Sequence, residues 1–258
     1  MLRRTVIATL QPLLADRIYT VRHGLARGLR RRGGLGFVPQ WGTPSAEERF
    51  LDSLSLEGQT VYDVGGSEGV FTLFFARRVG ATGRVVTFEP NPRNVKKITE
   101  NVRLNGFSQV SVRPIAVGSA PGHATLVFPS DETARGSLES HIADDIRKEK
   151  DVHAIEVEID TLDRQIAAGL PMADFVKLDV EGLERDVLDG MQMLVTTRRP
   201  RLYIEIHGAD PERKLDNVTS VASFLWKAGY DVLHVESGSR LTTTAQLPVA
   251  IRGHLYCT

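Results

Sequence analysis

TVYDVGGSEG, residues 60–69, is the stretch on which the fold turns. Val61, Tyr62 and Val64 suit a buried strand, and Gly65, Gly66 and Gly69 suit a tight turn whose backbone can approach a ligand closely. Val70, Phe71, Phe74, Phe75 and Val79 then recur at helical spacing, so the glycines sit between a strand and a helix. In an open parallel sheet that junction faces a crevice above the strand ends, into which backbone N–H groups and a helix N-terminus point. A dinucleotide-binding fingerprint would need glycine at 65, 67 and 70. The chain has Gly65, Ser67 and Val70, so that reading fails.

Outward from this turn, Ser45 followed by Glu48 predicts a capped helix through about residue 54. A strand over 84–89 stops at Pro90 and Pro92, a helix runs over 93–104 to Asn105-Gly106, and a strand over 110–117 is interrupted by Pro114. Two further strands are expected at 123–128 and 154–159. Between them, 129–151 is a polar segment of the length expected for a lid or substrate loop. The α/β alternation resumes with a strand at 175–180, a helix at 183–194, a strand at 201–206, a helix at 218–227, a strand at 230–235 and a last strand near 247–251. Strands separated by helices imply right-handed crossovers and a parallel sheet.

The 258 residues carry no net charge and have ordinary globular composition, so nothing global points to nucleic acid. One cysteine, Cys257, excludes an internal disulfide framework and a cysteine-rich zinc site and agrees with a cytoplasmic location. Charge is uneven, because residues 1–40 hold eight arginines against one acid, Asp16. With apolar residues from Val6 to Val21 at helical spacing, residues 1–43 read as a basic amphipathic extension and linker, and 44–258 as the folded domain. The extension has three readings: a helix on an anionic membrane surface through residues 1–32, a targeting segment, or an arm packed on the protein or a partner.

Several polar residues fall at the sheet rim. Glu89 ends the second strand, where an acid can accept hydrogen bonds from both hydroxyls of a ribose. Lys177 and Asp179 share a strand face, as a structural ion pair or as part of an active site, and Glu205 and His207 share one on the next strand. Carboxylates at 179, 181 and 205 are of a type that suits magnesium, but the site is read with no metal.

Together, YDVGGSEG, FEPNPRNVKKITENVRLNG, TLDRQI, FVKLDVEGLERDVLDG and RPRLYIEIH resemble the FkbM family of S-adenosylmethionine-dependent methyltransferases over about residues 58–207. The resemblance implies the class I methyltransferase fold, a Rossmann-like α/β architecture of seven mostly parallel strands with helices on both faces and a C-terminal antiparallel hairpin. It implies S-adenosylmethionine as cofactor, with Asp63, Gly65, Gly66, Ser67 and Gly69 around the methionine moiety and Glu89 on the ribose. Asp179 and Glu181 are implied beneath the reacting methyl group, and the expected reaction is O-methylation of a sugar, glycolipid or polyketide-like small molecule, in which Asp179 or His207 is the candidate base and Glu181 orients the acceptor. The family commonly has Asn where this chain has Ser67. Two alternatives stand beside this: a methyltransferase of protein or RNA, disfavoured because 179–182 reads DVEG rather than Asn-Pro-Pro-aromatic, and a non-catalytic cofactor-binding scaffold.

Overall fold

Residues 60–64 lie at the centre of the molecule because every side chain from Val61 to Val64 is buried and alternate residues meet different helices. The computed structural model describes residues 17–33, 43–130, 136–148 and 151–258. In chain order it has β1 (Ile18–Thr20), β2 (Arg30–Arg32), α1 (Ala46–Ser53), β3 (Thr60–Val64), α2 (Val70–Val79), β4 (Arg84–Phe88), α3 (Pro92–Leu104), β5 (Val110–Arg113), β6 (Ala116–Val117) and β7 (Gly122–Pro129). There follow α4 (Ser140–Arg147), β8 (Val152–Asp160), α5 (Leu162–Ala167), β9 (Phe175–Leu178), α6 (Glu184–Asp189), α7 (Gln192–Thr197), β10 (Arg201–Glu205), α8 (Pro211–Lys227), β11 (Val232–His234), β12 (Ser239–Leu241), a 3-10 helix (Thr244–Ile251) and β13 (His254–Cys257).

The main sheet has the order β12-β11-β13-β10-β9-β3-β4-β5. Its five strands from β10 to β5 are parallel, and β13 runs antiparallel between β10 and β11. This is the expected seven-stranded arrangement with its reversed C-terminal pair, extended by the short edge strand β12. Strand alternation divides the core. Tyr62, Val64, Val176, Leu178, Leu202 and Ile204 face α6, α7 and α8, whereas Val61, Val85, Phe175 and Tyr203 face α1 and α2. Each such buried side chain is worth about 1.5–3 kcal/mol of transfer free energy. The same parity puts Asp63, Thr87, Glu89, Lys177, Asp179, Glu205 and His207 toward the α2 side, where they gather at the strands' C-terminal ends.

A second sheet of order β6-β8-β7 carries the segment between β5 and β9. Pro114 divides the expected strand 110–117 into β5 and β6, since a proline cannot donate to the ladder. Within 129–151, α4 forms behind a Glu139 cap; 131–135 and 149–150 lie outside the described residues.

Three expectations require correction. The helix expected over 183–194 is two helices, α6 and α7, parted at Gly190, where an added Cβ would lie 2.0 Å from the Gly118 carbonyl oxygen. The last strand is β13 and not 247–251. That stretch is a 3-10 helix opened by a Thr243–Gln246 capping box, with Leu247 and Ala250 buried at a spacing of three. Residues 17–33 are a β-hairpin rather than a basic helix, with Tyr19, Val21 and Ala26 buried against Val70. The rest of the expected arm, residues 1–16, and the linker residues 34–42 fall outside the described residues.

The hairpin is fastened to α3 through its edge. Arg30 N–H donates to Asn105 Oδ1 and Arg32 N–H to Asn101 Oδ1, both at 2.8 Å, so two asparagines cover the open β2 edge. Arg31, buried, reaches the Glu68 carboxylate at 3.4 Å. Replacing both asparagines by alanine removes these acceptors and should weaken hairpin docking by about 1–3 kcal/mol. The expected result is faster tryptic cleavage at Arg22 and Arg27 with the main thermal transition nearly unmoved; unchanged cleavage kinetics would refute this anchoring.

Candidate active site

The glycine turn is shaped first by packing. Gly65, at φ 81°, lies so close to the end of β9 that an added Cβ would sit 1.8 Å from the Asp179 carbonyl oxygen. Gly66 similarly lies against Thr87, and Gly69 caps α2 beside Ile98. Ser67 is left-handed at φ 48°, a conformation costly for serine and easier for asparagine. Its N–H donates to Glu89 Oε2 at 2.7 Å, so the strained turn positions an amide on the acidic end of β4.

Glu89 is almost fully buried. Its Oε1 accepts from Asn91 N–H at 2.8 Å and from Asn94 Nδ2 at 3.4 Å. Burial pushes its carboxyl up to about 7 against these donors and Lys177. Beside it, Asn91 Oδ1 caps α3 through Arg93 N–H, while Asn91 Nδ2 is buried with no hydrogen-bond partner. A carboxylate has about four acceptor positions, so Glu89 retains capacity next to an orphaned donor, the polar pair a ribose or a similar diol would satisfy.

These groups open onto a cleft at the C-terminal ends of β3, β4 and β9. Gly65, Ser67, Glu89, Asp179 and Glu181 line it, and Ile115, Val117, Leu126 and Leu138 supply apolar walls suited to a flat heterocycle. Glu181 and His207 line an adjoining pocket with Ser137, Ile142 and Lys214. Residues predicted from distant parts of the sequence thus converge: five line the cleft and His207 the pocket beside it. Asp63, Gly66 and Gly69 instead support the turn from outside the cleft lining.

Asp63 is fully buried, accepting from Thr72 Oγ1 at 2.6 Å with Lys177 Nζ at 3.6 Å. Burial raises its carboxyl more than Lys177 lowers it. Lys177 Nζ donates to Asp179 Oδ2 at 2.9 Å and to the Gly65 carbonyl at 3.0 Å, and lies 4.6 Å from the Phe71 ring centroid. Burial works against the ammonium, but Asp179 and Asp63 outweigh it and hold Lys177 charged. For Asp179 burial is likewise outweighed, by Lys177 and His207, and its carboxyl is held low.

His207 Nδ1 meets Glu184 Oε1 at 3.0 Å, and its Nε2 faces Asp179 at 3.8 Å, Glu205 at 3.6 Å and Glu181 at 3.9 Å. Burial lowers the imidazole, but Glu184 and the other carboxylates prevail and raise it to about 9. Burial raises Glu181, which also holds a left-handed backbone at φ 52°.

Sequence reasoning did not find Asn91 and Asn94, which underpin Glu89, or His254. The last bonds Glu236 at 2.7 Å, stacks on Tyr203 at 4.9 Å and lies 3.6 Å from Glu205. Asn91 had a signal, since it sits between two prolines at a strand end. His254 had none, because its partners lie on elements joined only by the folded sheet.

The turn's backbone yields a stability test. Gly65→Ala should destabilise by on the order of 3 kcal/mol, from the contact with Asp179 and the left-handed φ. Ser67→Asn should stabilise by about 0.5 kcal/mol. Thermal unfolding of both variants measures this, and a neutral Gly65→Ala would show that the close approach is absent.

The comparisons agree with this geometry. The family pattern for the Methyltransferase FkbM domain matches residues 63–232, which includes the turn, Glu89 and the whole cluster around His207. Methyltransferase 1 of Beauveria bassiana is 26% identical over 145 residues, covering 51% of this chain and 57% of its own. The hexuronic acid methyltransferase AglP of Haloferax volcanii is 27% identical over 167 residues, covering 64% and 63%. This chain therefore spans about three-fifths of the length of those relatives. The crystal structure of the FkbM methyltransferase of Methylobacillus flagellatus shares the fold with a TM-score of 0.51 at 19% identity, over 80% of this chain and 45% of that one. With two-thirds of its length under one family pattern and the class I sheet beneath it, the chain belongs to the FkbM methyltransferase family.

Proposed function

We propose that this methyltransferase binds S-adenosylmethionine in the Glu89 cleft and transfers the methyl group to a hydroxyl of a sugar or glycolipid-like acceptor held over Asp179 and Glu181. The observation that carries the reading is the cradle at the end of β4: Glu89 gripped by the Ser67 and Asn91 amides, with the unpartnered Asn91 Nδ2 beside it. The hexuronic acid activity named for the Haloferax relative supports a sugar acceptor, and Lys214 on the second pocket is a suitable partner for an acidic sugar.

When bound, the cofactor supplies an electrophilic methyl group on a sulfonium sulfur. Glu89 and Asn91 would hold the ribose and the apolar wall from Ile115 to Leu138 the base, while the turn at Gly65 fixes the distance to Asp179. The acceptor oxygen would take that methyl group, with sulfur leaving as the neutral thioether and keeping the carbon–sulfur electron pair. The hydroxyl proton passes to the carboxylate pair Asp179 and Glu181. Alignment accounts for up to about 7–11 kcal/mol of such a reaction and a general base for about 10²- to 10⁴-fold, so positioning dominates. Among the described residues no helix is long and apolar enough to cross a membrane.

Two outcomes test the assignment. Asp179→Asn and Glu181→Gln together should lower the single-turnover rate at saturating cofactor by about 10²-fold or more while cofactor affinity changes little; an unchanged rate would reject the roles. Glu89 is raised to about 7, so protonation below that pH removes its acceptor capacity. Cofactor affinity should fall about tenfold from pH 8 to pH 6, and Glu89→Gln should bind weakly with a flat profile. The sign for the cofactor-free protein is opposite. A carboxyl raised above its unfolded value stabilises the fold below that value, a contribution lost as pH rises through about 7. Calorimetric titration with S-adenosylmethionine at the two pH values decides both, and no binding by the wild type would overturn the cofactor reading.

A further inference from the structure

We propose that Asp179, Glu205 and His207 form a site for one divalent transition-metal cation of the manganese or zinc class, on the floor between the cofactor cleft and the second pocket. Donor atoms of the three lie within 4.8 Å of one another, brought together by the C-terminal ends of the adjacent parallel strands β9 and β10. The inference rests on the reading of the cleft above, and adds an electrophile to the acceptor side of the same centre.

The His207 ring carries the argument. Glu184, fully buried, takes Nδ1 at 3.0 Å, and its second oxygen is claimed by Asn217 Nδ2, which also donates to the His207 carbonyl at 2.8 Å. A carboxylate only accepts, so Nδ1 carries a hydrogen and Nε2 is the nitrogen left facing the cluster, where a binding ion displaces its proton. An imidazole held from behind by a buried carboxylate is the arrangement by which metal-ligating histidines are oriented. Ahead of the ring, Nε2 is 3.8 Å from Asp179 Oδ1 and 3.6 Å from Glu205 Oε1. Both separations exceed hydrogen-bond length, and both fit donors surrounding an ion with bonds of about 2.0–2.2 Å once the shell contracts.

Charge gives the second, independent argument. Lys177 balances Asp179 but is shared with Asp63, and Glu205 turns its other oxygen toward His254, which Glu47 and Glu236 also claim. The rim therefore holds more carboxylates than cationic side chains, at strand ends that remain partly open to solvent. The donor set decides the class of ion. Sequence reading assigned no metal, and the carboxylates it considered were an all-oxygen set suited to magnesium. The structure places His207 Nε2 within the group, and an imidazole with two carboxylates suits manganese or zinc better. Glu181 stands 3.9 Å from Nε2 outside this set and keeps its carboxylate for the acceptor's proton.

The test uses the full chain, stripped with a chelator and titrated with Mn²⁺ and with Zn²⁺ alone by calorimetry and, for Mn²⁺, by electron paramagnetic resonance. S-adenosylmethionine binding is measured on the same samples. The expected result is one equivalent bound, with affinity reduced at least 100-fold in Glu205→Gln and in His207→Ala. Glu184→Gln should lose about 10- to 100-fold although Glu184 reaches no ion. Glu205→Gln decides the matter if His207→Ala fails to fold, since Glu205 is partly exposed at a strand end. No binding, or binding unchanged in Glu205→Gln and so an adventitious ion only, overturns the proposal. Retained S-adenosylmethionine binding would then leave the cofactor reading standing, whereas its absence in the wild type would sink that reading whatever the metal result.

Discussion

The Lys177 ammonium is the interaction on which the site depends. It is buried in the sheet and touches Asp63, the Gly65 carbonyl and Asp179, so one cation ties the ends of β3 and β9 and the turn together. Removing either carboxylate would leave a buried charge short of a partner, a loss of about 3–5 kcal/mol in comparable cases. The contact of Gly65 with the Asp179 carbonyl and the hold of Ser67 on Glu89 both follow from a turn fixed at this point. The cleft beside Glu89 and the pocket beside His207 are two sides of one electrostatic joint.

Much of the fold was legible because alternation of apolar residues and the placement of Gly and Pro are local signals. Thr60–Val64, the Ser45 cap and the interruption at Pro114 could be read within a few residues of themselves. Two of the misreadings originate in tertiary contact. Nothing near Gly190 reveals that Gly118 approaches it, and nothing near Tyr19 and Arg31 reveals that Asn101 and Asn105 wait to pair their edge. At 247–251 the reason is local, since the short apolar run reads as a strand but the capping box before it sets a period of three.

The site divides in the same manner. Glu89, Asp179, Glu181 and His207 could be located because they end strands, and the ends of parallel strands share a rim. Their second partners could not be. Glu184 behind His207, Asn91 behind Glu89 and His254 behind Glu205 each act through a neighbour remote in the chain or across a turn, and their identity is fixed by which oxygen faces which nitrogen. Ser67 has its meaning in the backbone, because its left-handed amide is what grips Glu89.

The parity that gathers the polar groups on one side of the sheet also bears on how the chain finds its fold. If β9 paired one residue out of step with β3, Lys177 would turn toward the layer of Val187, Leu188 and Leu194, and Val176 and Leu178 would face the polar rim. An ammonium among aliphatic side chains, without either aspartate, makes that misalignment costly at the moment the strands meet. The charges at the rim thus fix the register of the sheet as well as its polarity, because only the native pairing gives the buried ammonium its two aspartates.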